Sequence, residues 1–250
     1  MSPGRLTGLR VRLEVRSLAR NPQAAFYCLL LPLALVVVLG VRAHGTQPGT
    51  RSRYVDLETA GLITFALINT CYLTLTTSLV SLRESGVLKR MRSTPLSPGT
   101  FLAGQIGATM LLAALVTSSS VLVGALALGS APRGPTAWLA FTIGTATAAG
   151  SFAALGCALT TVITSANAAG PIAQATYLPL SLTSGVFLPG ADSTGITHTL
   201  SHALPVGAAA RVLQGPFTSA TQPWRLVDLL VVLGWGAAGL LIAKARFRWW

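Results

Sequence analysis

Charge is what this sequence has least of. Of 250 residues, 18 are basic and 6 acidic, about 10% in all where a soluble domain carries roughly 25%. That is too few to solvate a globular surface, and a soluble enzyme is excluded. The formal charge of +12 does not point to nucleic acid, because the basic residues cluster between apolar blocks, where they orient a chain in a bilayer. Lysine is nearly absent. Lys89 is followed by Arg90 and Lys244 by Ala245, so no glycine-rich loop ending in Lys-Ser or Lys-Thr is present to cradle the phosphates of ATP. The three cysteines, Cys28, Cys71 and Cys157, lie inside apolar blocks without CxxC or Cys/His spacing and read as small buried hydrophobes. The six acids (Glu14, Asp56, Glu58, Glu84, Asp192 and Asp228) fall at the ends of apolar runs or in loops, whereas ion-coupled transporters keep ionisable groups at mid-membrane. His198 and His202 are four apart, but only Asp192 is near as a further donor, so they read as one face of an interfacial helix and not as a metal site. Ser184-Gly185 lacks the flanking glycines of a serine nucleophile turn.

What the sequence does have is apolar runs long enough to cross a membrane as helices. We read one transmembrane domain over 1–250, all-α and polytopic. A cytoplasmic arm, 1–23, precedes a first span at 24–41. Glu58 and Arg83 bracket 24 uncharged residues and define a second, 59–82. A third follows at 101–128. The next 58 uncharged residues, 134–191, are too many for one helix; Thr164, Ser165, Asn167, Gly170 and Pro171 form a turn cluster that divides them into spans at 136–163 and 168–190. The sixth, 225–243, is the weakest, with Arg225 and Asp228 at its outer interface. Twelve basic residues, in the arm, in the loop after span two and in the tail, lie on one side of this six-span arrangement and six on the other, which puts both termini in the cytoplasm. The basic arm and the 18-residue first run are both long for a cleaved signal, so the first span is read as retained. The outer segment 191–224 is oddly apolar; its 203–213 part is too short to cross and too greasy for a free loop, as in a re-entrant or interfacial helix.

Two polar stripes interrupt the apolar runs. Thr70, Thr74, Thr77 and Ser81 recur at helical spacing in span two with Asn69 beside them, and Gln174, Tyr177, Ser181 and Ser184 do the same in span five. They either line a substrate pathway or pack helices through hydroxyl-to-backbone bonds. Pro179 permits a kink in span five, and Ala146, Gly150, Ala154 and Ala158 give span four a small-residue packing face.

The loop 83–99 opens the run RESGVLKRMRSTPLSPGTFLAGQ. As a helix from Arg83 to about Ser93 it gathers Val87, Leu88 and Met91 on one arc, with Arg83, Lys89, Arg90 and Arg92 around the rest. Such a helix offers apolar knobs to a cytoplasmic partner or, alternatively, only sets topology. Pro95 stops it, and Ser97 with Pro98 restarts the chain as span three.

This run resembles the loop of ABC-2 type permeases, the membrane subunits of ATP-driven exporters, whose pattern is roughly Arg-Glu-x-Gly-Thr-Leu-x-Arg-Leu-Arg-x-Thr-Pro-Leu, later Gly-Lys. Arg83, Glu84, Gly86, Leu88, Arg90, Arg92, Thr94, Pro95, Leu96 and Gly104 match; Val87, Met91 and Gln105 depart. The segment HALPVGAAARVLQG before the last span fits more loosely. The resemblance implies an amphipathic helix before span one, although Leu9, Val11, Leu13 and Val15 alternate with charged residues at a period of two. It implies a dimer, with a second copy or a sister permease, set in membrane lipid and paired with a separate ABC ATPase subunit that binds ATP and Mg; this chain itself binds no cofactor. The loop is then the coupling helix, contacting the ATPase through Arg83, Glu84, Val87, Leu88, Arg90, Met91 and Arg92. A neutral, hydroxyl-lined route suits a lipophilic or amphipathic cargo such as a drug, an antibiotic, a lipid or a glycan precursor. Sixteen Arg to two Lys, with abundant Ala, Gly and Leu, fits a GC-rich bacterial genome and hence a bacterial plasma membrane. The alternative is a stand-alone membrane protein, an intramembrane enzyme or a scaffold, without an ATPase.

Overall fold

The computed structural model describes residues 34, 38, 48–87, 98–183, 201–218 and 225–246. Among these residues the regular elements are all helices. In chain order they are α1 (Pro48–Leu67), a π-helical segment (Ile68–Thr74), α2 (Leu75–Glu84), α3 (Pro98–Leu128), α4 (Pro135–Leu159), α5 (Ala166–Thr183), α6 (Pro205–Thr218) and α7 (Leu226–Arg246). Four stretches are long and apolar enough to cross a membrane: Tyr54–Glu84, Gly104–Leu128, Pro135–Leu159 and Leu226–Arg246. The protein is a multi-pass all-helical membrane protein. The first apolar run lies outside the described residues apart from positions 34 and 38, both helical. The arm 1–23, the tail after 246 and most of the outer segment before 201 also lie outside them.

Proline marks where several helices begin. Pro98, Pro135 and Pro205 are the first residues of α3, α4 and α6, where the missing N–H has no partner to lose and the fixed φ is already helical. Inside the spans, hydroxyls fold back onto their own helix: Thr64 bonds the Ala60 carbonyl at 3.0 Å, Thr109 that of Gln105 at 2.9 Å and Thr147 that of Ile143 at 2.8 Å. This lets polar residues sit in apolar surroundings with their hydrogen bonds made.

Three boundaries differ from the sequence reading. The second helical rod is continuous from Pro48 to Glu84, beginning well before 59, because Asp56 and Glu58 lie within the helix and are 3% exposed. The break between spans four and five falls at 160–165 and not at 163–171; Thr160 and Thr161 hydroxyls take the carbonyls of Cys157 and Ala158 at 2.6 and 2.7 Å and close α4 there. Pro171, taken as part of the break, lies inside α5 with Pro179. The loop helix expected from Arg83 does not begin there. Arg83 and Glu84 are the last turn of α2, and a turn at Ser85–Gly86 follows in which Gly86 adopts φ +71°, a left-handed conformation that only glycine enters readily. Leu88, Lys89, Arg90, Met91 and Arg92 lie outside the described residues.

The α1–π–α2 rod is the hub of the bundle. Its most apolar window is 78% buried, against 22% for that of α7, whose leucines at 226, 230, 233, 240 and 241 face outward as lipid-facing side chains do. Lipid is as apolar as leucine, so helices here associate by close fit and hydrogen bonds rather than by expelling water. α4 shows how. A Cβ on Gly239 of α7 would stand 2.9 Å from the Ala154 carbonyl carbon, and one on Gly236 2.6 Å from Ser151 Oγ, while Ser151 donates to the Val232 carbonyl at 2.8 Å. A Cβ on Gly156 would stand 3.0 Å from the Tyr72 carbonyl oxygen, so α4 is pressed against the hub on another face of the same stretch. Of the small-residue face read from the sequence, Ala154 and Ala158 are buried in this way, whereas Ala146 and Gly150 are exposed.

α6 is the apolar outer segment. Ten of its fourteen residues are buried, among α1, α4 and α7. Just before it, the Ala203 carbonyl accepts from Trp235 Nε1 at 2.9 Å, near the middle of α7. At its other end the Pro216 carbonyl accepts from the Arg133 amide in the α3–α4 turn at 3.4 Å, and Gln214 reaches the Leu57 carbonyl at 3.3 Å. The helix thus runs from the level of mid-α7 to the α3–α4 turn. Asp228 lies in the first turn of α7, at the end of the span. It is 4% exposed and accepts from Arg211 Nε at 2.7 Å, tying α6 to α7. On the same side, Asp56 accepts from Ser130 Oγ at 2.7 Å and Arg133 Nη2 at 2.8 Å.

Candidate transport site

The two polar stripes meet at one point. Asn69 opens the π-helical segment and is 1% exposed. Its Nδ2 donates to the Phe65 carbonyl at 2.9 Å, and its Oδ1 accepts from Tyr177 Oη of α5 at 2.8 Å. One turn away, Tyr72 Oη and Thr176 Oγ1 share a hydrogen bond of 2.8 Å. The rings of Phe65 and Tyr72 lie 6.1 and 6.2 Å from that of Tyr177, the second edge-on. Three aromatic rings and two interhelical hydrogen bonds thus join the hub to α5.

The π turn makes this possible. Seven residues, Ile68–Thr74, close i→i+5 bonds, and the wider turn rotates α2 relative to its place in a regular helix. Thr74 Oγ1 bonds the carbonyl of Asn69, five residues back, at 2.9 Å, and Thr76 Oγ1 bonds that of Tyr72 at 2.6 Å and, across to α4, that of Gly156 at 3.2 Å. Segments of this kind recur at functional positions in helices.

The stripe residues separate accordingly. Asn69 and Thr70 are buried, and the Thr70 hydroxyl has no partner among the described residues. Thr74 and Thr77 are half-buried, with Thr77 bonding the carbonyls of Leu73 and Thr74, both at 3.0 Å; Ser81 is exposed at the end of the rod. In α5, Tyr177 and Ser181 are buried and Gln174 half-buried, with Ser181 Oγ on the Tyr177 carbonyl at 2.9 Å. Ser184 lies outside the described residues. Sequence spacing put Asn69 and Tyr177 in separate stripes; the structure brings them together beside Tyr72 and Thr176, which spacing missed and whose signal was that each adjoins a stripe.

Beside the cluster is a cavity of about 260 Å³. Tyr72, Thr176 and Tyr177 form its polar edge, and Phe152, Leu155 and Trp235 are among its apolar walls. No charged side chain among the described residues lines it. A larger apolar groove of about 560 Å³ runs between α3 and α4 and includes no residue of either stripe.

At the far end of the rod, Arg83 is half-buried and Glu84 exposed. Arg83 Nη1 donates to the Thr160 carbonyl at 2.9 Å and Nη2 to that of Ile163, whereas Glu84 Oε2 accepts from the Ala166 amide at 2.5 Å. Val87 is half-buried.

The geometry is that of a helical bundle with a π-broken central rod and an apolar helix packed among α1, α4 and α7. The model of the ABC-2 type transporter family matches residues 7–217. The chain belongs to the ABC-2 type transporter family. The ABC-2 protein is thus a permease, the membrane part of an ABC transporter and not itself a catalytic domain, and its family implies an ABC ATPase partner. No curated protein matches the sequence significantly.

Proposed function

We propose that this permease exports a neutral lipophilic or amphipathic molecule across a bacterial plasma membrane, as a six-span protein with both termini in the cytoplasm. It works as a dimer, with a second copy or a sister permease, and is energised by a separate ABC ATPase that holds the ATP and Mg. The observation that carries the reading is the family match over 7–217 in a chain without a phosphate-binding loop. The nature of the cargo is supported by the site: Tyr72, Thr176 and Tyr177 offer neutral hydrogen-bonding groups beside apolar walls, and no charged group among the described residues lines the cavity. A highly charged cargo would lose its hydration there without compensation.

In this reading the loop after the rod receives the ATPase. Val87, Leu88 and Met91 are its apolar knobs and Arg90 and Arg92 its charged rim. Burying three such side chains contributes on the order of a few kcal/mol. Leu88→Asp charges the knob outside the bilayer, so the permease should still insert and run as a monodisperse species, while ATPase co-purification and export are lost. A Leu88→Asp protein that retained both would refute the coupling role.

A further inference from the structure

Arg83 and Glu84 are neighbours at the end of the central rod, yet they grip two different helices. Arg83 places its guanidinium on the carbonyls of Thr160 and Ile163, where α4 ends and the turn begins, and Glu84 places its carboxylate on the amide of Ala166, the first residue of α5. The signs suit the positions. Carbonyl oxygens left over at a helix C-terminus carry partial negative charge and attract a cation, and free amides at an N-terminus attract an anion. An Arg-Glu pair therefore fits across an α4–α5 hairpin in one orientation only.

We propose that Arg83 and Glu84 are positioning residues that make the α4–α5 hairpin move with the central rod, so that a displacement of the loop beginning at Ser85 reaches both sides of the Asn69–Tyr177 contact together. The inference rests on the exporter reading and adds to it how the loop is connected to the site. The clamp adds directed polar ties to the apolar contact of Val80 with Ile163 and Ala169: Gly86 at φ +71° ends the helix just after Glu84, and no other hydrogen bond among those described ties the last turn of α2 to the α4–α5 turn. With it, α5 carries Tyr177 and the rod carries Asn69 as one body at the cytoplasmic end, and relative movement is confined to the opposite end. The proposal also gives Arg83 and Glu84 work that does not require contact with the ATPase.

Three single variants test this in the full permease reconstituted with its co-purifying ATPase. Arg83→Ala and Glu84→Ala each remove one arm. Ala166→Pro removes the amide that Glu84 grips while leaving Glu84 in place, at a helix-start position where proline is tolerated. All three should keep ATPase stoichiometry and hydrolyse ATP within about twofold of the parent, yet export at least tenfold less cargo per ATP. Arg83→Lys and Glu84→Gln, which keep a donor and an acceptor, should recover a substantial part. Glu84→Ala combined with Ala166→Pro should be no worse than either alone, because both break the same bond. Spin labels at Ser85 and at Val162, both exposed, should give a narrow distance distribution in the parent that broadens in each of the three.

A distribution unchanged by all three variants would overturn the clamp, as would export and hydrolysis falling together. Loss of ATPase binding in Glu84→Ala but not in Ala166→Pro would also overturn it, by assigning Glu84 to the ATPase interface. Failure of the exporter reading shows elsewhere, in a parent permease that co-purifies with no ATPase and moves no cargo.

Discussion

Replacing Tyr177 by Phe removes one oxygen atom from the centre of the bundle and leaves its packing in place. The ring keeps its neighbours, Phe65 and Tyr72, at centroid distances of 6.1 and 6.2 Å. The loss is the 2.8 Å hydrogen bond to Asn69 Oδ1. Asn69 is 1% exposed, so water cannot replace the donor, and a buried acceptor stripped of its partner costs about 1–3 kcal/mol in soluble proteins. Interhelical hydrogen bonds within membranes are worth less, about 0.6 kcal/mol on average and rarely above 2, because the separated helices also find partners. The lower scale governs here, and about 1 kcal/mol is expected, or about 2–4 °C in Tm for a chain of this size. Cys71 on the π segment and Cys157 on α4 are buried cysteines, so a thiol-reactive fluorophore reports the opening of this part of the core in a variant with Cys28 replaced. Asn69→Ala should destabilise further, because it also removes the bond to the Phe65 carbonyl. In the double variant Tyr177→Phe should add nothing to Asn69→Ala. A Tyr177→Phe Tm within 1 °C of the parent, or strict additivity in the double variant, would refute the reasoning.

Two further perturbations concern the packing. Gly239→Leu should force α7 off α4, because its Cβ alone would lie 2.9 Å from the Ala154 carbonyl carbon, whereas Gly234→Leu, with nothing within 4 Å, should be tolerated; overpacking of this kind costs about 1–3 kcal/mol or more, read as loss of monodisperse protein in detergent for the first variant only. Arg211→Ala should cost about 3–5 kcal/mol by leaving Asp228 buried without its cation, and adding Asp228→Asn should restore part of the lost Tm.

The sequence by itself determined that the chain is a helical, multi-pass membrane protein and, through the loop after span two, which family it belongs to. Both are local properties. A span must satisfy its own backbone in lipid, so an uncharged run of sufficient length declares itself without reference to the rest of the chain, and the run from Arg83 to Gly104 carries its pattern in consecutive residues. The tertiary structure decided which polar groups meet. Asn69 and Tyr177 are 108 positions apart, Tyr72 and Thr176 are 104, and Arg83 and Thr160 are 77, and no periodicity within a single helix connects such pairs. It also decided the π turn at Ile68–Thr74, which carries no local signature and moves Thr74, Thr77 and Ser81 off the face that straight helical spacing gave them. Asp56 and Asp228 read as interfacial because a carboxylate is costly to bury alone; they are buried because Arg133 and Arg211, contributed by other parts of the chain, are brought to them by the packing of the helices.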